Sequence, residues 1–157
     1  MIVVSRKKFK LPTLKSILRR PRLYEYLFDR RIILVVAKAG QGKSTFLGEF
    51  LTEEKKNYFW YNFDETDEKL RNFVSRFFYG LGAKLSRGDV GDDPTLSIEE
   101  IDVQDREKVL REFLDFWKEP FAASDFYIVL DNFHEVEQSD EVVGFVSDMI
   151  EELPPNV

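Results

Sequence analysis

Apolar positions along this chain fall into two periods, and the alternation between them predicts its elements. Ile32 to Val36, Tyr58 to Phe63 and Phe126 to Leu130 are short apolar runs bounded by turn residues, the pattern of buried strands. Other stretches repeat every three and four residues. Leu70, Phe73, Val74, Phe77, Phe78 and Leu81 make one such stripe, on a helix capped by Thr66 or Asp67 and ended by Gly80 and Gly82. Val109, Leu110, Phe113, Leu114 and Trp117 predict a helix over about 103–118. Val142, Phe145, Val146, Met149 and Ile150 predict another from Ser139 to Leu153, stopped by Pro154-Pro155. Phe46, Leu47, Phe50 and Leu51 fit a helix from Lys43 to about Thr52. Residues 1–12 look extended. Residues 13–28 read as helical in part, with Pro21 opening a second segment. The acidic stretch 84–103 reads as a mobile surface loop, because its carboxylates fail the D-x-[DN]-x-[DN]-G spacing of a calcium loop. Strands alternating with helices predict an α/β fold with a parallel sheet.

The first strand leads into Ala37-Lys-Ala-Gly-Gln-Gly-Lys-Ser44. This is a phosphate-binding loop of the G-x-x-x-x-G-K-[ST] kind, with Ala37 where the first glycine usually stands. Gly40 and Gly42 can take backbone angles closed to other residues, so successive N–H groups cup a phosphate. The helix opening at Lys43 adds free N–H groups and the positive end of its dipole. The nucleotide-binding residues expected are Ala39, Gly40, Gln41, Gly42, Lys43, Ser44 and Thr45, with Lys43 on the outer phosphates and the Ser44 hydroxyl on Mg²⁺. The strand Phe126 to Leu130 ends in Asp131, a carboxylate suited to orienting the same magnesium ion or its water.

Composition narrows the reading. The chain has 157 residues, enough for one domain with a hydrophobic core. Its fifteen phenylalanines make that core aromatic, and its formal charge of -6 argues against general nucleic-acid binding. Arg6, Lys7, Lys8, Lys10, Lys15, Arg19, Arg20 and Arg22 nevertheless crowd the first 24 residues, which carry no acid. That segment reads as a solvated arm near the phosphate mouth, with a grip on nucleic acid or anionic lipid as the alternative. With no cysteine and one histidine, thiolate and histidine-based metal sites are excluded. No apolar run reaches membrane-spanning length and Met1 to Val4 is too short for a signal core, so a cytoplasmic protein is expected.

Several motifs together resemble one family. They are Lys10-Leu11, Arg20-Pro21-Arg22-Leu23, Ala39-Gly40-Gln41-Gly42-Lys43-Ser44-Thr45, Trp60-Tyr61-Asn62-Phe63-Asp64 with Asp67, Val129-Leu130-Asp131-Asn132-Phe133-His134 and Leu153-Pro154-Pro155-Asn156-Val157. The set resembles the nucleotide-binding domain of MalT-like signal-transduction ATPases with numerous domains, the STAND class of transcription regulators. The resemblance implies a P-loop NTPase fold, three-layer α/β/α, over 31–157 behind a basic lead-in at 1–30. It implies an ATP/ADP-binding regulatory switch with Mg²⁺, toggled by exchange and slow hydrolysis. Partners would be further domains of a larger regulator or another copy of the chain, with no membrane and no direct DNA contact by this segment. Arg22 and Leu23 become candidates for the nucleoside side.

Two departures from that family matter. Asn132 stands where a second acid is frequent, and an amide cannot take a proton from water. Lys43, Asp131, Asn132 and Glu135 are therefore the catalytic candidates, with hydrolysis slow or absent unless Glu135 or another group substitutes; alternatively Asn132 only bonds locally. His134 reads either as a γ-phosphate contact or as a wall residue. The family's sheet also inserts a further strand, expected to follow Val157, between the Asp131 strand and the phosphate-loop strand. The fold is thus expected to be incomplete at that end, with those two strands pairing directly or leaving a gap, and to be poorly soluble alone or completed by another chain. Two other functions fit the motifs: a small-molecule P-loop kinase, and a partner-binding module with a vestigial nucleotide site. A kinase wants an arginine-rich lid, which the acidic surroundings of Arg87 and Arg106 supply poorly.

Overall fold

The structure is a computed structural model that describes residues 1–13, 20–28, 30–87, 95–115, 117, 125–155 and 157. Helices and two small sheets make a mixed α/β fold. The strands are β1 (Ile2–Ser5), β2 (Asn57–Asn62), β3 (Thr95–Ile98) and β4 (Phe126–Asp131). The helices are α1 (Lys43–Glu53), α2 (Leu70–Arg87), α3 (Arg106–Asp115) and α4 (Asp140–Glu152). No helix among the described residues is long and apolar enough to cross a membrane.

β2 and β4 pair in parallel from Asn57↔Phe126 to Asn62↔Asp131. Their alternating side chains feed two separate cores, as the pleat requires. Phe59, Tyr61, Phe126, Ile128 and Leu130 join Phe73, Phe77, Phe113 and Phe145 from α2, α3 and α4. Tyr58, Trp60, Tyr127 and Val129 join Phe46, Phe50 and Leu51 of α1, with Tyr24 and Leu27. Edge-on ring contacts run through the first core, with Tyr61–Phe63 at 5.1 Å and Phe59–Phe77 at 5.3 Å between centroids. This geometry favours aromatic pairs beyond the area they bury.

The run Ile32 to Val36 does not become the strand its pattern predicts. It joins neither sheet among the described residues, and Ile32, Leu34 and Val36 are 63%, 86% and 80% exposed. Ile33 and Val35 turn inward, Ile33 against the α1 core, so a two-residue period survives without pairing. The residue before the segment is tethered. The Arg31 guanidinium donates to the carbonyls of Ile150, Glu151 and Leu153 at 3.0, 3.2 and 2.8 Å, at the end of α4. Past the glycine loop, Ser44 of α1 bonds Asp131, at the end of β4. Of the two outcomes expected, direct pairing is absent: β4 pairs with β2, and the segment joins neither sheet among the described residues.

Further corrections concern the amino-terminal half. The first residues are not a solvated arm: Ile2, Val4, Lys8 and Phe9 are buried, and β1 pairs antiparallel with β3. β3 lies inside the stretch read as a loop, while 88–94 fall outside the described residues. α2 runs through Gly80 and Gly82 to Arg87 instead of ending there. A Cβ on Gly80 would stand 2.4 Å from the Phe9 ring, so this glycine admits a close approach and does not stop the helix. Thr66 and Asp67 do not stand at the start of α2, which begins at Leu70; they lie in a short 3-10 turn, Glu65–Glu68, opened by Asp64, whose side chain accepts from the Thr66 N–H. Of the partly helical 13–28, Pro21–Tyr26 is a 3-10 turn and 14–19 fall outside the described residues.

Candidate functional site

The glycine loop and the C-terminal ends of β2 and β4 meet at one mouth. Gly40 and Gly42 have φ of 76° and 77°, the left-handed region that a β-carbon disfavours. Gly42 is also the N-cap residue of α1 and accepts from the Phe46 N–H at 2.9 Å. Ala39, Gly40 and Gln41 are exposed, and Gly42, Lys43, Ser44 and Thr45 are half-buried where the helix begins. The Lys43 ammonium donates back to the loop, to the carbonyls of Ala37 at 2.9 Å and Lys38 at 3.4 Å. A cation held over the loop mouth, beside the free N–H groups of a helix start, is an arrangement suited to an anion.

Across the mouth, the Ser44 hydroxyl donates to Asp131 Oδ1 at 2.9 Å, joining residues 87 positions apart. The same oxygen accepts from the Asn132 N–H at 3.0 Å. A hydroxyl and a carboxylate in contact are oxygen donors of the kind Mg²⁺ takes, with water completing its shell. Among the described residues no group of three His, Cys, Asp or Glu side chains could hold a metal ion. The Ser44–Asp131 pair is therefore the only part of such a site that the predicted residues supply.

Asn132 follows in the left-handed region, φ 56° and ψ 35°, and its Nδ2 donates to Asn62 Oδ1 at 2.8 Å. Asn62, at the end of β2, is not among the site residues predicted from sequence; its one signal there is its place in the Trp60–Asp64 motif. His134 and Glu135 are exposed and face each other, Nε2 to Oε1 at 3.3 Å. Neither has a described contact with Ser44 or Asp131. Arg22 is exposed and Leu23 half-buried on the turn Pro21–Tyr26, which is fastened to α1 by Tyr24. The Tyr24 ring meets Phe46 and Phe50, and its hydroxyl donates to Glu53 at 3.0 Å.

Behind Asn62 lies a buried ionic cluster. Lys8 Nζ donates to the Asn62 carbonyl at 3.3 Å and pairs with Asp67 at 2.5 Å and Asp64 at 2.7 Å. Arg76 and the Tyr61 hydroxyl reach Asp67 Oδ1 at 2.8 and 3.1 Å. Burial, then the Asp67 charge, pushes the Tyr61 hydroxyl well above its ordinary pKa, so it remains a donor. Partial burial would raise Asp64, but hydrogen bonds from Lys8 and Thr66 and the Lys8 charge hold it below the ordinary aspartate value. The cluster ties the first residues of the chain to the strand end that carries Asn62.

Comparison of the chain with protein families, curated proteins and solved structures finds no match.

Proposed function

We propose that this chain is a nucleotide-binding regulatory module that holds ATP or ADP with Mg²⁺, of the MalT-like STAND kind its motifs resemble. The observation that carries the reading is the Ser44–Asp131 hydrogen bond. Two motifs read independently from sequence meet there as a hydroxyl and a carboxylate beside a glycine loop and a lysine. Main-chain N–H groups of the loop and Lys43 would hold the phosphates, and Ser44 and Asp131 the magnesium, which supplies charge neutralisation. Arg22 and Leu23, ahead of the loop, would border the nucleoside.

Hydrolysis is expected to be slow or absent. The group after Asp131 is an amide, and Glu135 turns to His134 instead of toward Ser44 and Asp131. The three-layer P-loop architecture belongs to the same proposal. A further strand, from the same polypeptide or another chain, would enter between Ile32–Val36 and β4. The binding test is ATP retention with and without magnesium, in the wild-type chain and in Asp131→Asn. The reading expects magnesium to strengthen binding, and Asp131→Asn to lose that gain; no retention by folded protein under either condition contradicts it. Phosphate release without any acceptor would favour the switch, whereas turnover only with a metabolite would favour a kinase.

A further inference from the structure

We infer that the Asn62–Asn132 amide pair reads the terminal phosphate of a bound triphosphate, and so distinguishes ATP from ADP without a titratable group. The inference rests on the nucleotide reading above and assigns the part of the ligand that this corner of the site recognises.

The pair is placed by backbone on both sides. Asn62 is laddered opposite Asp131 at the end of the parallel sheet, and its carbonyl accepts from the buried Lys8 ammonium. Asn132 is held left-handed, with its N–H on the same Asp131 oxygen that receives the Ser44 hydroxyl. One carboxylate oxygen thus joins the Asn132 main chain, which carries one member of the amide pair, to the hydroxyl at the loop.

The chemistry follows from counting donors. The two side-chain amides carry four N–H bonds, and their mutual contact uses one. Among the described residues no other side chain or carbonyl accepts from either Nδ2. Turning both amides over exchanges their roles and leaves the same surplus of donors. Neutral N–H donors at a fixed spacing suit phosphate oxygens, which only accept at neutral pH. An amide stabilises such a charge but takes no proton from water, so the pair would hold a triphosphate without promoting its cleavage. His134, the other candidate for this contact, is turned to Glu135.

The test compares affinities of the full chain for magnesium-bound β,γ-imido-ATP and for magnesium-bound ADP. Asn62→Ala removes one member of the pair, and Asn132→Gly removes the other while keeping the left-handed turn. Each variant is expected to lose about tenfold in imido-ATP affinity, the loss of about 1.4 kcal/mol, and to hold ADP within about twofold, within scatter on the same scale. Retained ADP binding is also the control for folding. Asn62→Asp should discriminate further against the triphosphate by placing like charges together. Equal losses for both nucleotides, or no loss for either, overturn the inference. A folded wild-type chain that binds neither nucleotide overturns it together with the nucleotide reading, an outcome distinct from ADP binding without discrimination.

Discussion

Gly80 shows how much one missing methyl can decide. It sits inside α2 against the Phe9 ring, with space for a hydrogen and none for a β-carbon. Gly80→Ala should destabilise the chain by about 1–3 kcal/mol through overpacking, read as a shift in the denaturant midpoint. Gly80→Ala with Phe9→Leu should recover part of that loss; a Gly80→Ala protein as stable as wild type would contradict the close approach. At this scale the sequence was readable where the backbone itself dictates the residue. Gly40 and Gly42 take the angles their motif requires, and Ser44 finds Asp131. Gly80 was not readable, because its reason is a ring 71 positions earlier in the chain. Asn62 escaped for the same cause: its partner is Asn132, which no local pattern around Asn62 names.

Among the elements, helices were more legible than pairings. The apolar stripes of α2, α3 and α4 give each helix its buried face, and Ser139 caps α4 by accepting from the Val142 N–H. β1 and β3 were hidden, since each is short and finds its partner some 90 residues away. What fastens this corner is the Lys8–Asp67–Arg76 cluster. Asp67→Ala would leave buried Arg76 without its close carboxylate and buried Lys8 with the half-exposed Asp64 alone, at a cost of about 3–5 kcal/mol; a loss near zero in a urea melt would show that water already serves these groups. Asp64 sets the acid limit of the same corner. Its folded pKa is depressed, so its contribution is present above the unfolded value and is lost as pH falls through the folded one. The cluster should therefore loosen below about pH 4, seen as acid-dependent exposure of Tyr61 in near-ultraviolet absorbance. No change in that range would contradict the assignment.

Across the whole molecule the unusual feature is an apolar segment, 32–36, that joins neither sheet among the described residues. Ile32, Leu34 and Val36 face outward, and no backbone hydrogen bond is described for the segment. Such an edge offers unpaired N–H and C=O groups to another strand. Hydrogen exchange at 32–36 should be fast in the isolated chain, whereas amides laddered between β2 and β4 should be slow. Leu34→Glu and Val36→Glu should reduce self-association while leaving stability within about 0.5 kcal/mol. Slow exchange at 32–36 in a monomer would show that the edge is already closed.

Calorimetric titration of the folded chain with ADP and ATP in the presence of Mg²⁺ tests the central claim most directly. The account predicts saturable binding at one site, weakened at least about tenfold by Lys43→Ala, in line with removing a charge-assisted contact. Folded protein that takes up neither nucleotide, or a Lys43→Ala variant that binds as well as wild type, would contradict it.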